Sequence, residues 1–422
     1  MTEAKAAPLL AREDGGAAAE GSGRGGGATW AQTRGNMVVS IVGTGCWACP
    51  TPSAPPAGSR EPSESPPPAA PRSTACSSSS VECRDKLEEE ETEEPCDVLY
   101  TYGDLGQKCF GTIGRCSTEI LIFLSQAGGS VAYLIFIAQN LHSMLTQFMS
   151  PDTFIFAILL PMQIALSFVR SLSSLSPFSI FADACNVLAM AIVIKEDIRL
   201  FDHPFADRSA FNGLWAIPFS FGVALFCFEG FSMTLALEAS MAERKKFKWV
   251  LSQALVCIMF VYACFGVCGY LAYGEATKDI VTLNLPNSWS SSAVKIGLCI
   301  ALAFTFPVMM HPIHEIVEAR IRSSRCFQKF SQNVGGPNWL ALHASRIMVV
   351  IILAVVASYV PAFGAFIAFV GSTVCALLAF VLPTAFHLSI VGSSMSLWRR
   401  LLDYGFLLFG LVFVVYGTFT AL

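Results

Sequence analysis

The chain has 422 residues, of which 54% are hydrophobic and 14% charged; an average soluble domain has roughly 25% charged residues. Mean hydropathy is +0.56, which excludes an ordinary soluble domain and points to the lipid bilayer as solvent. A net charge of -4, with no basic cluster interleaved with aromatics, gives no reason to expect a nucleic-acid partner. The 15 cysteines are scattered, many within apolar runs (Cys227, Cys257, Cys264, Cys268, Cys299, Cys375), so they read as small packing residues.

Residues 1–28 are Ala/Gly-rich and lack the apolar core of a signal peptide; they read as a disordered cytosolic N-terminus. Residues 29–45 begin like a membrane span and stop halfway. The window 46–80 then turns Pro/Ser-rich, a disordered composition. Half a span running into such a window is physically odd. Back-translated and read one base earlier, Cys46–Gly58 becomes an apolar stretch continuing the span, and Ser77–Ser80 also becomes apolar. The window thus reads as a frame disturbance, with a genuine disordered insert as the other reading. Residues 81–116, with the acidic run Glu88–Glu94, read as a cytosolic loop.

From residue 117 to 422 the chain is a membrane domain. Nine stretches are apolar enough to cross: Ser117–Leu145, Phe154–Val169, Phe178–Ile194, Trp215–Leu237, Trp249–Tyr273, Ser292–Val317, Trp339–Val360, Phe363–Ile390 and Leu401–Leu422. Trp215, Trp249, Trp289, Trp339 and Trp398 lie near span ends, where indole prefers the interface. The basic loops Ala242–Lys248, Ala319–Lys329 and Trp398–Arg400 fall on one side, the expected cytosolic face.

Inside the fourth stretch sits one carboxylate, Glu229, within Phe226-Cys227-Phe228-Glu229-Gly230-Phe231. A charge at that depth costs roughly 2.5–3.5 kcal/mol on insertion scales and usually faces a cavity, a partner or a substrate. Gly230 lets the backbone leave the helix and offer its polar groups to a ligand. The plainer reading of Glu229 is a carboxylate neutralised by a neighbouring helix. Phe226, Phe228 and Phe231 line an apolar pocket or simply pack. Asp183 and Asn186, one helical turn apart, serve coupling or bond a facing helix. His311, His314 and Glu315 resemble a metal group, but Pro312 interrupts the turn and no second cluster completes a shell, so no metal is expected. No phosphate loop, nucleophile elbow or catalytic triad spacing is present, so neither a cofactor nor catalytic residues are expected.

Gly35-Asn36, Ser40–Gly45, Glu82–Leu87, Thr101–Gly106, Gly128–Leu134, Phe226–Leu237, Gly269–Asp279, His311-Pro312 and Gly371–Pro383 together resemble the amino acid/auxin permease family, in its plant vacuolar neutral amino-acid exporter branch. The resemblance implies an all-α integral membrane fold like the leucine transporter. That fold has inverted five-helix repeats and eleven spans, of which nine are visible here. It implies two glycine-broken segments side by side, Ser40–Gly45 and Phe226–Phe231, with substrate between them. Ser40, Gly43, Thr44, Gly45, Phe226, Phe228, Glu229 and Gly230 are then the substrate-binding candidates. The proton-coupling candidates are Glu229 and Asp183. Thr44 either contacts substrate or bonds back to its own helix, and Gly128, Gly129 and Ser130 face the site by analogy. The implied partners are an amino-acid substrate, protons and the bilayer. The implied location is the vacuolar membrane, with the plasma membrane as alternative; Glu3 followed by Leu9-Leu10 resembles an acidic dileucine sorting signal. Two readings compete with a working carrier. One is a non-transporting member of the family, truncated or carrying an erroneous gene reading; the other is an intramembrane enzyme built on His311, His314 and Glu229.

Overall fold

The computed structural model describes Cys83 and residues 101–145, 150–168, 172–200, 216–228, 246–286, 288–324 and 338–421. Each of the nine expected apolar stretches contains a helix among these residues. In chain order they are α1 (Tyr102–Met144), α2 (Pro151–Ser167), α3 (Leu172–Arg199), α4 (Ala216–Cys227), α5 (Phe247–Tyr273), α6 (Trp289–Ser323), α7 (Asn338–Tyr359), α8 (Phe363–Ile390) and α9 (Leu397–Ala421). No β-strand occurs among the described residues. Among the described residues six helices are long and apolar enough to cross a bilayer: those in α1, α5, α6, α7, α8 and α9. The expected windows 1–28 and 46–80, and the segment Ser40–Gly45, lie outside the described residues.

The all-α fold follows from the solvent. In hydrocarbon every backbone N–H and C=O must bond internally, and a helix does so within one segment. Large apolar side chains face outward along α9, where Val415 is 73% and Phe419 79% exposed, as suits a lipid-facing surface. Trp249, Trp289 and Trp398 are exposed at helix ends, in keeping with an interfacial position.

The first helix begins upstream of the expected boundary at Ser117. Thr101 and Asp104 form a reciprocal capping box: Asp104 N–H donates to Thr101 Oγ1 at 3.3 Å, and Thr101 N–H donates to Asp104 Oδ2 at 3.1 Å. The chain then kinks at Phe110 and Gly111, where Gly111 has φ 64°, a left-handed conformation that glycine adopts without steric cost. The kink returns Asp104 to Arg115, 3.3 Å apart. Hydropathy misses this arm because it is amphipathic and short.

In the body, α6 packs along α1 and α3, and α4 packs against α8. The α4–α8 crossing is made backbone to backbone. A Cβ on Gly222 would sit 2.7 Å from the Ala368 carbonyl oxygen, and one on Gly371 would overlap the Gly222 carbonyl. Without a hydrophobic drive between helices in lipid, such small-residue contacts carry association. Next to the crossing, α8 contains two π turns, Gly371–Cys375 and Leu377–Val381. Phe221, Phe380, Phe409 and Phe413 pack around it; Phe221 and Phe413 meet edge-on at 4.8 Å and tie α9 to α4.

A set of ion pairs joins helices at the end that carries the bases of the expected cytosolic face. Arg320 donates to Glu119 at 2.7 Å, and Arg115 donates to the same carboxylate at 2.8 Å. Deeper in, Arg346 pairs with Glu318 at 2.7 Å, and its second arm donates to the Ser167 carbonyl at 3.1 Å, joining α7, α6 and α2.

Two outcomes follow from this packing. Gly371→Val is expected to destabilise by about 1–3 kcal/mol or more through overpacking, seen as a lowered melting temperature in detergent; an unchanged melting temperature contradicts the close crossing. Arg346→Met leaves the mostly buried Glu318 with Arg322 alone, at 3.4 Å, and is expected to destabilise, by less than the about 3–5 kcal/mol of a buried charge left with no partner. The double variant Arg346→Met/Glu318→Leu should recover much of the lost melting temperature.

Candidate functional site

Helix α4 is described over Ala216–Cys227. It gives way to a turn at Phe228, next in sequence to Glu229 and Gly230. Glu229 and Gly230, like Ser40, Gly43, Thr44 and Gly45, lie outside the described residues. The end of α4 carries two of the expected site residues in unlike settings. Phe226 is 3% exposed within the core, its backbone beside the Gly371 contact. Phe228 is half-buried and packs its ring on Tyr262 of α5, centroids 5.4 Å apart. Two positions apart on a helix, the two rings point to different neighbours. The Tyr262 hydroxyl donates to the Cys227 carbonyl at 3.4 Å, capping a carbonyl in the last turn of α4.

Around this end, α1 presents Gly128, Gly129 and Ser130, all buried. A Cβ on Gly128 would sit 2.7 Å from Val370, so this glycine faces α8. The Ser130 hydroxyl is fully buried, with no hydrogen-bond partner among the described residues. Ser125 of α1 and Cys375 of α8 approach at 3.8 Å. Asp183 lies on α3, its side chain outside the described set; Asn186, one turn on, is buried. Along α6, His311 and Glu315 approach at 3.5 Å. Among the described residues no three His, Cys, Asp or Glu side chains gather as a metal group.

Several charged groups escape the sequence reading. His387 of α8 and Asp403 of α9 meet at 2.8 Å while buried. Lys295 of α6 is 4% exposed. It interrupts the apolar stretch Ser292–Val317 as Glu229 interrupts its own, so the same depth criterion finds it. Asp197 lies on α3 beyond the apolar stretch ending at Ile194, and it is fully buried. Neither of its carboxylate oxygens has a hydrogen bond of normal geometry among the described residues. The neighbouring cations Lys195 and Arg199 pair instead with Glu196, at 3.6 and 3.2 Å. Burial therefore raises the Asp197 carboxyl to about 6, opposed in part by the nearby Tyr273 hydroxyl.

The fold and these intramembrane polar groups define an all-α integral membrane protein. Comparison with known sequences identifies its kind. Residues 70–422 match the family described as Transmembrane amino acid transporter protein. The chain is 48% identical over 400 residues to Amino acid transporter ANT1 of Arabidopsis thaliana, covering 93% of this chain and 91% of that protein. It is 40% identical to Amino acid transporter AVT3B of the same plant, covering 76% and 78%. It is 25% identical to Vacuolar amino acid transporter 4 of Saccharomyces cerevisiae, covering 76% of this chain and 49% of the yeast protein. The chain belongs to the transmembrane amino acid transporter family. Its relatives are carriers, so the enzyme reading built on His311, His314 and Glu229 is set aside.

Asp197 yields a pH test. A carboxyl whose folded value is raised stabilises most below its unfolded value of 3.8, and that contribution is lost as pH rises through about 6. Asp197→Asn removes the titration. Relative to the parent chain, the variant is expected to gain melting temperature at pH 7 compared with pH 4. An equal difference at both pH values means that Asp197 does not titrate in this way.

Proposed function

We propose that this chain is a secondary active carrier that moves neutral amino acids across the vacuolar membrane in exchange or symport with protons. Family membership supports an amino-acid substrate, and the yeast relative named vacuolar supports the membrane. The single observation behind the site is that α4 gives way to a turn at Phe228, directly before Glu229 and Gly230 in sequence. On this reading Ser40, Gly43, Thr44 and Gly45 form the companion broken segment, in a leucine-transporter-like inverted repeat of eleven spans. Backbone N–H groups freed at half-helix ends take the substrate carboxylate. Phe226 and Phe228 border the apolar side chain, with Gly230 allowing close approach. The basic end faces the cytosol.

Glu229 couples the two fluxes. Burial favours its neutral acid, whereas a substrate ammonium nearby favours the carboxylate. Substrate binding and proton release are thereby linked at one group, with Asp183 as the other coupling candidate.

The test is alanine flux in proteoliposomes under an imposed pH gradient. It is run for the chain as given and for a form carrying the shifted-frame reading of 46–80. In whichever form transports, Glu229→Gln should abolish pH-driven flux while leaving insertion and melting temperature unchanged. Normal pH-driven flux in that variant makes Glu229 structural and moves the coupling to Asp183. Absence of flux in both forms counts against the carrier reading itself.

A further inference from the structure

At the end of the bundle opposite the Arg346–Glu318 and Arg320–Glu119 pairs, Lys295 is buried without a counter-ion among the described residues. It sits in the second turn of α6, 4% exposed, and its ammonium donates to Ser143 Oγ of α1 at 3.1 Å. Ser143 in turn donates to the Asn140 carbonyl at 2.7 Å, and Thr282 donates to Asn140 Oδ1 at 2.6 Å. This string is polar but neutral. A second cation stands by the same string: the exposed Lys278 donates to the carbonyl of Leu283 at 3.4 Å, next in sequence to the Thr282 that bonds Asn140. Asp279, next to Lys278, accepts instead from the Gly364 N–H at 2.9 Å, at the start of α8.

An ammonium has three donors, and only one is used among the described residues. A buried charge with neither pair nor full hydrogen bonding is costly. The potential at this point is made more positive by Lys278 and by the N-terminal end of the α6 dipole. Two further donors are at hand. Asn140 Nδ2 gives one N–H to the Phe136 carbonyl at 2.9 Å and retains a second, and Lys295 retains two.

We propose that Lys295, Lys278 and Asn140 form a binding site for a small monovalent inorganic anion such as chloride. The site is separate from the α4 end, and binding there does not depend on the carrier reading above. An amino acid is disfavoured as occupant, because its ammonium would meet two lysines and its bulk would need room beside a side chain already closed in. A monatomic anion needs only donors and positive potential.

The experiment reads binding directly on the purified full chain in detergent, so that failure of transport leaves it interpretable. Chloride is titrated against gluconate at constant ionic strength while melting temperature is followed. The expected result is a saturable rise with chloride. That rise should be absent in Lys295→Met and should need severalfold more chloride in Lys278→Met, whose exposed side chain makes loss of folding a minor risk. Equal melting temperatures of the parent chain in chloride and gluconate overturn the proposal. So does a chloride effect that is unchanged in Lys295→Met. If Lys295→Met does not fold, an unchanged half-saturation in Lys278→Met overturns it alone.

Discussion

The contact between Gly222 and Gly371 sets the distance between α4 and α8, and much of the surrounding packing depends on that distance. With any side chain at either position the backbones would separate. In water such a crossing would be a minor detail beside the apolar area around it. In lipid the apolar area gives no net preference, so van der Waals fit at close range decides which helices pair. The close crossing brings the Phe226 backbone against α8 and lets Phe221 reach Phe413 of α9. The position of the α4 end is therefore set by two missing side chains.

Charge is distributed by the same economy. At the basic end each buried ion has a partner: Arg346 has Glu318 and a carbonyl, and Glu119 has two arginines. At the other end Asp197 and Lys295 are buried without partners of opposite charge among the described residues. One end is thus cross-linked between helices by satisfied pairs, and the other, beside the pairs of Glu196, also holds two buried groups with no partner of opposite charge among the described residues.

The helices were legible in the sequence because bilayer crossing demands long apolar runs, and each of the nine runs holds a helix. The early start of α1 was not, since a capping box and a kinked amphipathic arm leave no hydropathy signal. Phe226 and Phe228 were legible as a pair, yet helical geometry sends one into the core and the other to Tyr262. Lys295 was legible in principle, by the reasoning that isolates Glu229. Asp197 was not: it sits among Lys195, Glu196 and Arg199, where a solvated cluster is the natural expectation. Only the three-dimensional pairing reveals that the cations serve Glu196.

The two π turns of α8 bear on how this helix tolerates changes of length. A π turn holds one residue more than an α turn, so it acts as an insertion absorbed without moving the helix axis. Deleting one residue within Gly371–Cys375 or Leu377–Val381 can return that turn to α geometry and leave both flanks in their present rotational setting. A deletion within α9, which has no such slack, would instead turn everything beyond it by about 100° and carry lipid-facing residues such as Phe419 away from lipid. Length variation among related chains should therefore collect in the middle of α8, where the backbone already carries a spare residue in each wide turn.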